Sequence, residues 1–163
     1  MPPTELNIRS AIPADIPVVL TLIRELAEYE RLSHLVVNTG ELLHEALFGH
    51  RPAAEVLIAE LGDEPVGYAL FFHNFSTFVG RKGLYLEDVY VRPAHRGLGI
   101  GKALLVELAR IARDRNCGRM EWSVLDWNEP SIAFYRSLGA ELMDGWTTCR
   151  LNESELLRLA ESR

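Results

Sequence analysis

The sequence predicts an α/β fold in which a mixed β-sheet is flanked by helices. A strand pattern at 84–91 is followed by a helix pattern at 99–114 and a strand pattern at 119–125, which is the order of a right-handed parallel crossover. Two earlier strand patterns, at 56–61 and 66–75, are separated only by a tight Gly-Asp-Glu-Pro turn and predict an antiparallel hairpin. The sheet is therefore expected to combine parallel and antiparallel neighbours.

The remaining elements follow from local signals along the chain. Apolar residues recur at helical spacing between about Asp15 and Glu30, and an acid at the start suits the positive end of a helix. Asn152, with Glu155 three positions later, resembles a capping box and predicts a terminal helix. The other expected elements are a short strand around Ile8, a short helix that Thr39 caps and that contains 42–48, a loop at 76–83, a helix at 128–138 and a strand at 146–151. The terminal helix is expected at 153–161.

Length and composition indicate one soluble domain over 1–163. Of the 163 residues, 48% are hydrophobic and 25% are charged, which is ordinary for a globular protein with a substantial core. The net charge of −6 argues against nucleic-acid binding through bulk electrostatics and suits a cationic small substrate. No apolar run is long enough to span a membrane and no secretory signal is visible, so a cytoplasmic location and no membrane partner are expected.

The sequence predicts neither a metal site nor a disulfide framework. Cys117 and Cys149 form no C-x-x-C motif and are expected to be reduced thiols. The 5 histidines show neither an i, i+4 pair nor an H-E-x-x-H motif. Chemistry without a metal is therefore expected.

A glycine string at 97–101 lies between the predicted strand and the helix that follows it. A strand, a glycine loop and a helix N-terminus in this order make an anion-binding device. A dinucleotide fingerprint would need a glycine at Lys102, and a Walker A loop would need Ser or Thr where Ala103 stands, so both patterns fail. The remaining match is R-x-x-G-x-G beginning at Arg96, whose backbone N–H groups can wrap a pyrophosphate. A glycine-rich turn that needs positive φ would explain the same residues.

Several segments resemble the GNAT acyl-coenzyme A N-acetyltransferases. They read V-R-P-x-x-R-G-x-G-I-G-x-x-L-L after a hydrophobic strand and, further along, W-N-E-P-S-I-x-F-Y-x-x-x-G-A. The segments I-R-x-A-x-x-A-D, L-I-x-E-L-A-x-Y-E and Y-L-E-D are similar to the spermidine/spermine (diamine) acetyltransferase branch. The similarity covers about 8–151. It implies a GNAT-type fold, with a mostly antiparallel sheet around a central parallel β-α-β unit.

The resemblance implies acetyl-CoA as the co-substrate. The loop amides are expected to hold the pyrophosphate, and the strand splayed by a family β-bulge is expected to pair with the pantetheine arm in a strand-like manner. Val89 matches the position whose N–H meets the thioester carbonyl. Asn128 matches a residue that contacts the cofactor arm, and it can also be the N-cap of a short helix. The implied cofactor-binding residues are Val89, Tyr90, Val91, Arg96, Gly97, Leu98, Gly99, Ile100, Gly101, Lys102, Asn128 and Ser131.

The same resemblance assigns two residues to the chemistry. Tyr135 matches the general acid of the family, which protonates the leaving thiolate, whereas helical spacing alone would make it a core tyrosine. Glu87 matches the glutamate that acts as a base, through a water, in the diamine branch. An extended strand would point Glu87 and Asp88 to opposite faces, and the family bulge would re-aim one of them. Burying both carboxylates without partners would be costly, which favours a functional role.

The implied acceptor site comprises Tyr29 and Glu30 at the end of the first helix, Asp88 in the strand, and Phe78. In the loop before the central strand the polyamine enzymes have an aspartate and a tryptophan, where Ser76 and Phe78 stand here. The missing carboxylate weakens the match to a long polycation. A shorter primary amine, such as a diamine or a lysine-like amino acid, fits at least as well.

The sequence therefore predicts an N-acetyltransferase that moves an acetyl group from acetyl-CoA to a primary amine of a small cationic substrate, which is a diamine, a polyamine or a lysine-like amino acid. One alternative is an enzyme that acts on a protein N-terminus or lysine, and the acidic helix end at Glu28 and Glu30 argues against it. Another is a non-catalytic CoA-binding sensor, and the presence of both Glu87 and Tyr135 argues against that. Members of the branch are typically homodimers, so a homodimer is expected.

Overall fold

A computed structural model describes residues 2–3 and 5–162 of the chain. It consists of two compact units, 1–123 and 124–163. The strands all lie in the first unit and are β1 (Leu6–Ser10), β2 (Glu55–Leu61), β3 (Glu64–Ser76), β4 (Arg81–Val91) and β5 (Met120–Trp122). The helices are α1 (Ile16–Tyr29), α2 (Gly40–Phe48) and α3 (Ile100–Asp114) in the first unit, and α4 (Glu129–Ser137) and α5 (Glu153–Glu161) in the second.

The five strands form one sheet in the order β1-β2-β3-β4-β5. The expected hairpin is present, with Leu61 of β2 opposite Glu64 of β3. The expected parallel crossover is also present, since α3 connects β4 to β5 and Leu84 pairs in parallel with Met120. All other neighbouring strands are antiparallel. The predicted mixed, mostly antiparallel sheet with flanking helices is confirmed.

Helices cover both faces of the sheet in the first unit. Alternate residues of the central strands, among them Ile58, Tyr68 and Tyr90, pack in one cluster with buried apolar residues of α1 and α2. Residues at the positions between these, such as Ala69, face the other side of the sheet and are also buried. Helix α3 contacts β1 to β4. Because strand side chains alternate between faces, the sheet must present apolar residues on both sides. The central strands β3 and β4 are therefore covered by helices on both faces.

An ion-pair network attaches the start of α1 to the sheet. Arg9 of β1 donates to both carboxylate oxygens of Asp15, at 2.7 and 2.9 Å, and to Glu60 of β2 at 2.7 Å. Asp15 also accepts a hydrogen bond from the Ile12 N–H at 2.7 Å. The Arg9 guanidinium lowers the pKa of the buried Asp15 carboxyl. These bonds fix where α1 begins and so the direction in which it crosses the sheet.

The C-terminal part of the sequence was predicted less well. The prediction of a strand at 146–151 is wrong, because these described residues form no strand although their aromatic and β-branched content favours one. Strand propensity depends on packing against a neighbouring strand, and Trp146 and Leu151 are instead exposed. The terminal helix is confirmed as α5, but Asn152 at its N-cap makes no side-chain hydrogen bond, so the capping box is wrong in detail.

Two predicted boundaries around the central strands also need correction. The loop expected at 76–83 is shorter, because cross-strand pairing continues until Ser76 lies opposite Arg81. The strand expected at 119–125 is only Met120–Trp122. Both differences arise from pairing with a neighbouring strand, which local residue pattern does not determine.

Residues 2–3 and 5–162 contain neither a membrane-spanning helix nor a cluster of metal ligands. No helix there is long and apolar enough to cross a membrane. Nor does any group of three or more His, Cys, Asp or Glu side chains in that part of the chain have the arrangement needed to hold a metal ion.

Candidate active site

A β-bulge interrupts β4 at the acidic pair. Asp88 pairs with Leu70 of β3, whereas Leu86 pairs with Phe71, so Glu87 is the additional residue of the bulged strand. At a bulge, two residues of one strand oppose a single residue of its partner. Glu87 and Asp88 therefore both lie opposite Leu70 instead of alternating across the sheet. The bulge expected in this strand is confirmed.

The carboxylate of Asp88 is partly buried and hydrogen-bonded. The hydroxyl of Tyr68, a fully buried residue of β3, donates to Asp88 Oδ2 at 2.9 Å. Burial raises the pKa of Asp88, the hydrogen bond from Tyr68 opposes that rise, and the charge on Glu87 adds to it. Burial and the charge on Asp88 raise the pKa of Tyr68 well above its usual value. The Tyr68 hydroxyl is therefore a donor throughout the neutral pH range.

The end of α1 adds a third carboxylate. Glu30 is the C-cap residue of α1, and partial burial together with the charge on Asp88 raises its pKa. Glu30 also contributes to the raised pKa of Tyr68. We refer to Glu30, Glu87 and Asp88 as the acidic cluster. Because like charges in a partly buried region destabilise one another, a bound cation would relieve this repulsion.

Beyond the bulge, one edge of β4 has no strand beside it in the part of the chain that the structure describes. β5 pairs with β4 only as far as Leu86. The Arg92 N–H donates to the Val66 carbonyl at 2.9 Å, and an antiparallel ladder alternates, so the backbone groups of Val89 and Val91 point away from β3. They are directed at the edge where an extended chain can pair with them.

The glycine loop leads directly into α3. Gly97 and Gly99 have φ values of 79° and 78°, in the left-handed region that favours glycine. Gly99 is the N-cap of α3, and the Ala103 N–H donates to its carbonyl at 2.9 Å. The N–H groups of the first turn have no partner within the helix and point out of its N-terminus. The turn with positive φ is confirmed, and it leads directly into the N-terminus of α3. Binding of an anion by these N–H groups stays a prediction.

Arg96 connects this loop to the end of α1. Its Nε donates to the Val91 carbonyl at 2.9 Å, and its Cζ lies 4.5 Å from the centre of the Tyr29 ring. The Tyr90 ring lies on the same guanidinium, with 5.6 Å between Cζ and the ring centre. Cation–π attraction holds a guanidinium in such a position. The resemblance implied a cofactor-binding role for Arg96 and an acceptor-binding role for Tyr29. In the structure these two side chains contact each other.

A second brace between β4 and α1 was missed by the sequence analysis. Arg92, directly after β4, donates to both carboxylate oxygens of Glu25, at 3.2 and 3.0 Å, and to the Pro65 carbonyl at 3.0 Å. Arg92 and Glu25 are 67 residues apart, so no local motif marks the pair. The brace holds the end of α1, with Tyr29 and Glu30, against the end of β4.

The hairpin tip lies far from the acidic cluster. Phe78 is fully exposed in the turn, and the Ser76 Oγ accepts a hydrogen bond from the Val79 N–H at 3.2 Å. The bulge is opposite Leu70, six residues before Ser76, which corresponds to about 20 Å of strand. Within one chain, Phe78 is therefore not brought to Asp88, and Ser76 stabilises the turn.

The second unit contains the other predicted site residues. Asn128 is the N-cap of α4, and its Oδ1 accepts a hydrogen bond from the Ser131 N–H at 3.4 Å, so its capping role is confirmed. Tyr135 lies in α4 and is 8% exposed, with its ring 5.5 Å from that of Phe134. The roles of these residues towards a cofactor or a leaving group remain predictions.

The mixed sheet, the bulge in β4 and the glycine loop before α3 agree with the GNAT-type fold that the resemblance implied. The model of the GNAT acetyltransferase family matches residues 21–140, and the chain belongs to that family. Enzymes of this family use acetyl-CoA as the co-substrate. The predictions of the family and of N-acetyltransferase activity are confirmed.

Individual relatives agree with this assignment. The chain is 39% identical over 164 residues to the thialysine N-epsilon-acetyltransferase of Bos taurus, which covers 94% of this chain and 96% of that protein. It is also 39% identical to spermidine/spermine N(1)-acetyltransferase-like protein 1 of Homo sapiens, over 94% of this chain and 24% of that protein. Among solved structures, an integron cassette protein of V. cholerae is similar with a TM-score of 0.81 and 27% identity, covering 98% of this chain and 100% of that one.

Proposed function

We propose that this enzyme transfers an acetyl group from acetyl-CoA to a primary amine of a small cationic substrate, and that a short diamine or a lysine-like amino acid is preferred. The main support is the acidic cluster, in which Glu87 and Asp88 meet at the bulge and Glu30 joins them from α1. Asp88 and Glu30 are partly buried, the exposed Glu87 lies next to Asp88, and the repulsion among these like charges favours binding of an ammonium group. The relatives named for thialysine and for spermidine/spermine are consistent with such acceptors.

The carboxylates of the cluster have different tasks in this proposal. Asp88, held by Tyr68, binds a charged amino group that does not react. Glu87 is exposed at the bulge, so water reaches it, and we assign it as the base that takes the proton from the attacking amine, directly or through one water. A base is needed because an alkylammonium group titrates near ~10. A substrate with two amino groups uses both carboxylates.

The residues of this chain fit acetyl-CoA along β4 and the loop that follows it. The backbone groups of Val89 and the N–H of Val91 point at the edge of β4 that no described strand covers, where the extended pantetheine arm can add as a strand does. The Val91 carbonyl already accepts a hydrogen bond from Arg96 Nε. The N–H groups of the loop and of the first turn of α3 suit a pyrophosphate. Acetyl-CoA supplies the activated thioester. We assign the Val89 N–H to its carbonyl oxygen, where negative charge develops during the attack.

Tyr135 is assigned to the leaving group. As the C–N bond forms, the C–S bond breaks, and the electron pair of that bond leaves on sulfur. The thiolate takes a proton from the tyrosine hydroxyl and becomes a thiol, whose pKa in solution is roughly 8.5. The tyrosinate then regains a proton from solvent. This assignment is based on the match of Tyr135 to the general acid of the family.

The hairpin favours a short acceptor over a long polyamine. Ser76, which stands where the polyamine enzymes have an acid, contributes its hydroxyl to the turn. The turn residues 77–80 read Thr-Phe-Val-Gly and contribute no carboxylate either. The tip of this hairpin therefore offers no acid to bind the distal ammonium group of a long polycation, whereas a short acceptor needs only the acidic cluster.

An amine panel tests the proposal. The release of CoA thiol is measured with lysine, ornithine, putrescine, spermidine and a peptide with a free N-terminus. We expect the highest kcat/KM for a short diamine or an amino acid. Tyr135→Phe should lower kcat by about 100-fold, whereas Tyr85→Phe, which removes a hydroxyl bonded to Ser123, should not. Turnover of the peptide alone would indicate the protein acetyltransferase alternative. Cofactor binding without turnover of any amine would indicate a sensor.

A further inference from the structure

We propose that Tyr68 is a positioning residue of the acceptor site, whose hydroxyl holds the Asp88 carboxylate in the orientation and charge state that bind a substrate ammonium. The proposal rests on the proposed function of the acidic cluster. No motif marks Tyr68, because an aromatic residue in a central strand is typical of any buried core.

Packing makes the position of the Tyr68 hydroxyl rigid. The side chain is 0% exposed and belongs to the apolar cluster formed with α1 and α2. Tyr68 pairs with Tyr90 and Asp88 pairs with Leu70, so Tyr68 and Asp88 are diagonal neighbours on adjacent strands. The phenol ring cannot swing without opening the core. Its hydrogen bond to Asp88 Oδ2, at 2.9 Å, therefore holds the carboxylate in place from the side of the buried core.

The hydrogen bond leaves the carboxylate able to bind a cation. A carboxylate has two oxygens and several acceptor positions, and Tyr68 donates to one oxygen. The other oxygen can accept from an ammonium group. A rigid donor on one side thus sets the direction in which Asp88 presents its remaining lone pairs.

The charges around Asp88 explain why it needs this donor. Glu87 lies beside it on β4, and Glu30 at the end of α1 is near enough for the charge on Asp88 to raise the pKa of Glu30. Burial and Glu87 raise the pKa of Asp88, and the Tyr68 hydroxyl opposes both. Tyr90, the next residue of β4 on the same face, has a raised pKa because it is buried and lies near Glu25, so it remains neutral. Without the Tyr68 hydroxyl, a protonated Asp88 becomes more favourable, and a neutral carboxyl does not attract an ammonium.

Tyr68→Phe tests this role because it keeps the ring and removes only the hydroxyl. The matched control is Tyr85→Phe, which removes a hydroxyl that bonds Ser123 at 3.1 Å. Two properties are measured: the KM values for the preferred amine and for acetyl-CoA, and the titration of the Asp88 carboxyl carbon in 13C-aspartate-labelled protein. The Asp88 resonance is assigned with Asp88→Asn. Thermal unfolding of each variant is recorded in parallel.

We expect Tyr68→Phe to raise the acceptor KM about tenfold, with the acetyl-CoA KM changed by less than about twofold. The Asp88 titration should move to higher pH, and Tyr85→Phe should change none of these values. In an Asp88→Asn background, Tyr68→Phe should add no further rise in the acceptor KM. An unmoved Asp88 titration, an unchanged acceptor KM or an additive effect in the double variant would each overturn the assignment.

A second measurement serves if Tyr68→Phe does not fold. Because the Tyr68 hydroxyl donates to Asp88 Oδ2, protonation of Asp88 should shift the Cζ resonance of Tyr68 in 13C-tyrosine-labelled wild-type protein, and Asp88→Asn should abolish this pH-dependent shift. A Tyr68 resonance with the same pH dependence in both proteins would refute the coupling. Wild-type protein that turns over no amine would refute the proposed function and this assignment with it. Wild-type turnover with an unaffected Tyr68→Phe acceptor KM would refute the Tyr68 assignment alone.

Discussion

Glu30→Gln is expected to stabilise the free protein and to weaken acceptor binding. Glu30 is partly buried at the end of α1 and is repelled by Asp88, and both effects raise its pKa. A neutral glutamine removes the repulsion and retains most of the volume. The same substitution removes one charge from the acidic cluster, which the proposed substrate needs. Stability and acceptor affinity should therefore change in opposite directions.

The magnitudes follow from the position of Glu30. Its side chain is only partly buried, so solvent screens the repulsion and the gain in unfolding free energy at pH 7 should be about 0.5 kcal/mol. Because the folded state raises the pKa of Glu30, wild-type stability falls as pH rises through that pKa. The gain should therefore be present at neutral pH and absent below about pH 4, where the carboxyl is protonated in both states. Loss of one charge-assisted contact should raise the acceptor KM roughly tenfold.

Glu28→Gln is the matched control for this experiment. Glu28 lies in the last turn of the same helix but is exposed. Both acids are opposed by the negative end of the helix dipole, so the difference between the variants isolates the effect of the cluster. Urea unfolding without substrate and steady-state kinetics are measured for both. An equal gain from Glu28→Gln, or an unchanged acceptor KM in Glu30→Gln, would contradict the reasoning.

Three further predictions concern other parts of the structure. Asp15→Asn should lower the unfolding free energy by about 2 kcal/mol at pH 7. Since the pKa of Asp15 is lowered in the folded state, this loss should shrink as pH falls through that pKa. Urea unfolding measures the loss, and Asp114→Asn, at an exposed ion pair, is the control that should show no comparable loss. Gly97→Ala should raise the acetyl-CoA KM. Gly62 also has a positive φ and open space around it, so Gly62→Ala should lower the unfolding free energy through the same backbone strain but leave the acetyl-CoA KM unchanged. Arg96→Met should raise the acceptor KM several-fold by releasing Tyr29, and an acceptor KM equal to wild type would exclude that coupling.

Features with local signals were predictable from the sequence. The hairpin between β2 and β3 follows from two strand patterns separated by a tight turn, and the α3 boundary follows from the glycine string. Gly97 and Gly99 take the positive φ values for which glycine is suited. The helix N-cap at Asn128 is also a local signal, since its partner Ser131 is three residues away. Each of these depends on neighbours within a few residues.

Features that depend on register or distant partners were not predictable from residue pattern. The bulge was expected only from the resemblance, because the pattern of β4 does not show which residue lacks a partner on β3. Tyr68 has the same residue pattern as any core aromatic, and its link to Asp88 spans 20 residues. The prediction of a strand at 146–151 is wrong because residues with strand propensity form no strand unless a neighbouring strand pairs with them.

The unpaired edge of β4 also bears on self-association. Such an edge is a template on which a strand of another molecule can add, and charged side chains discourage that addition. Glu87 lies at the first position beyond the β5 pairing, and it is exposed. We therefore expect its carboxylate to act as a gatekeeper against aggregation when no cofactor occupies the edge. Glu87→Gln is for this reason a better probe of the proposed base than an apolar replacement, because an apolar side chain at this exposed strand edge would favour aggregation.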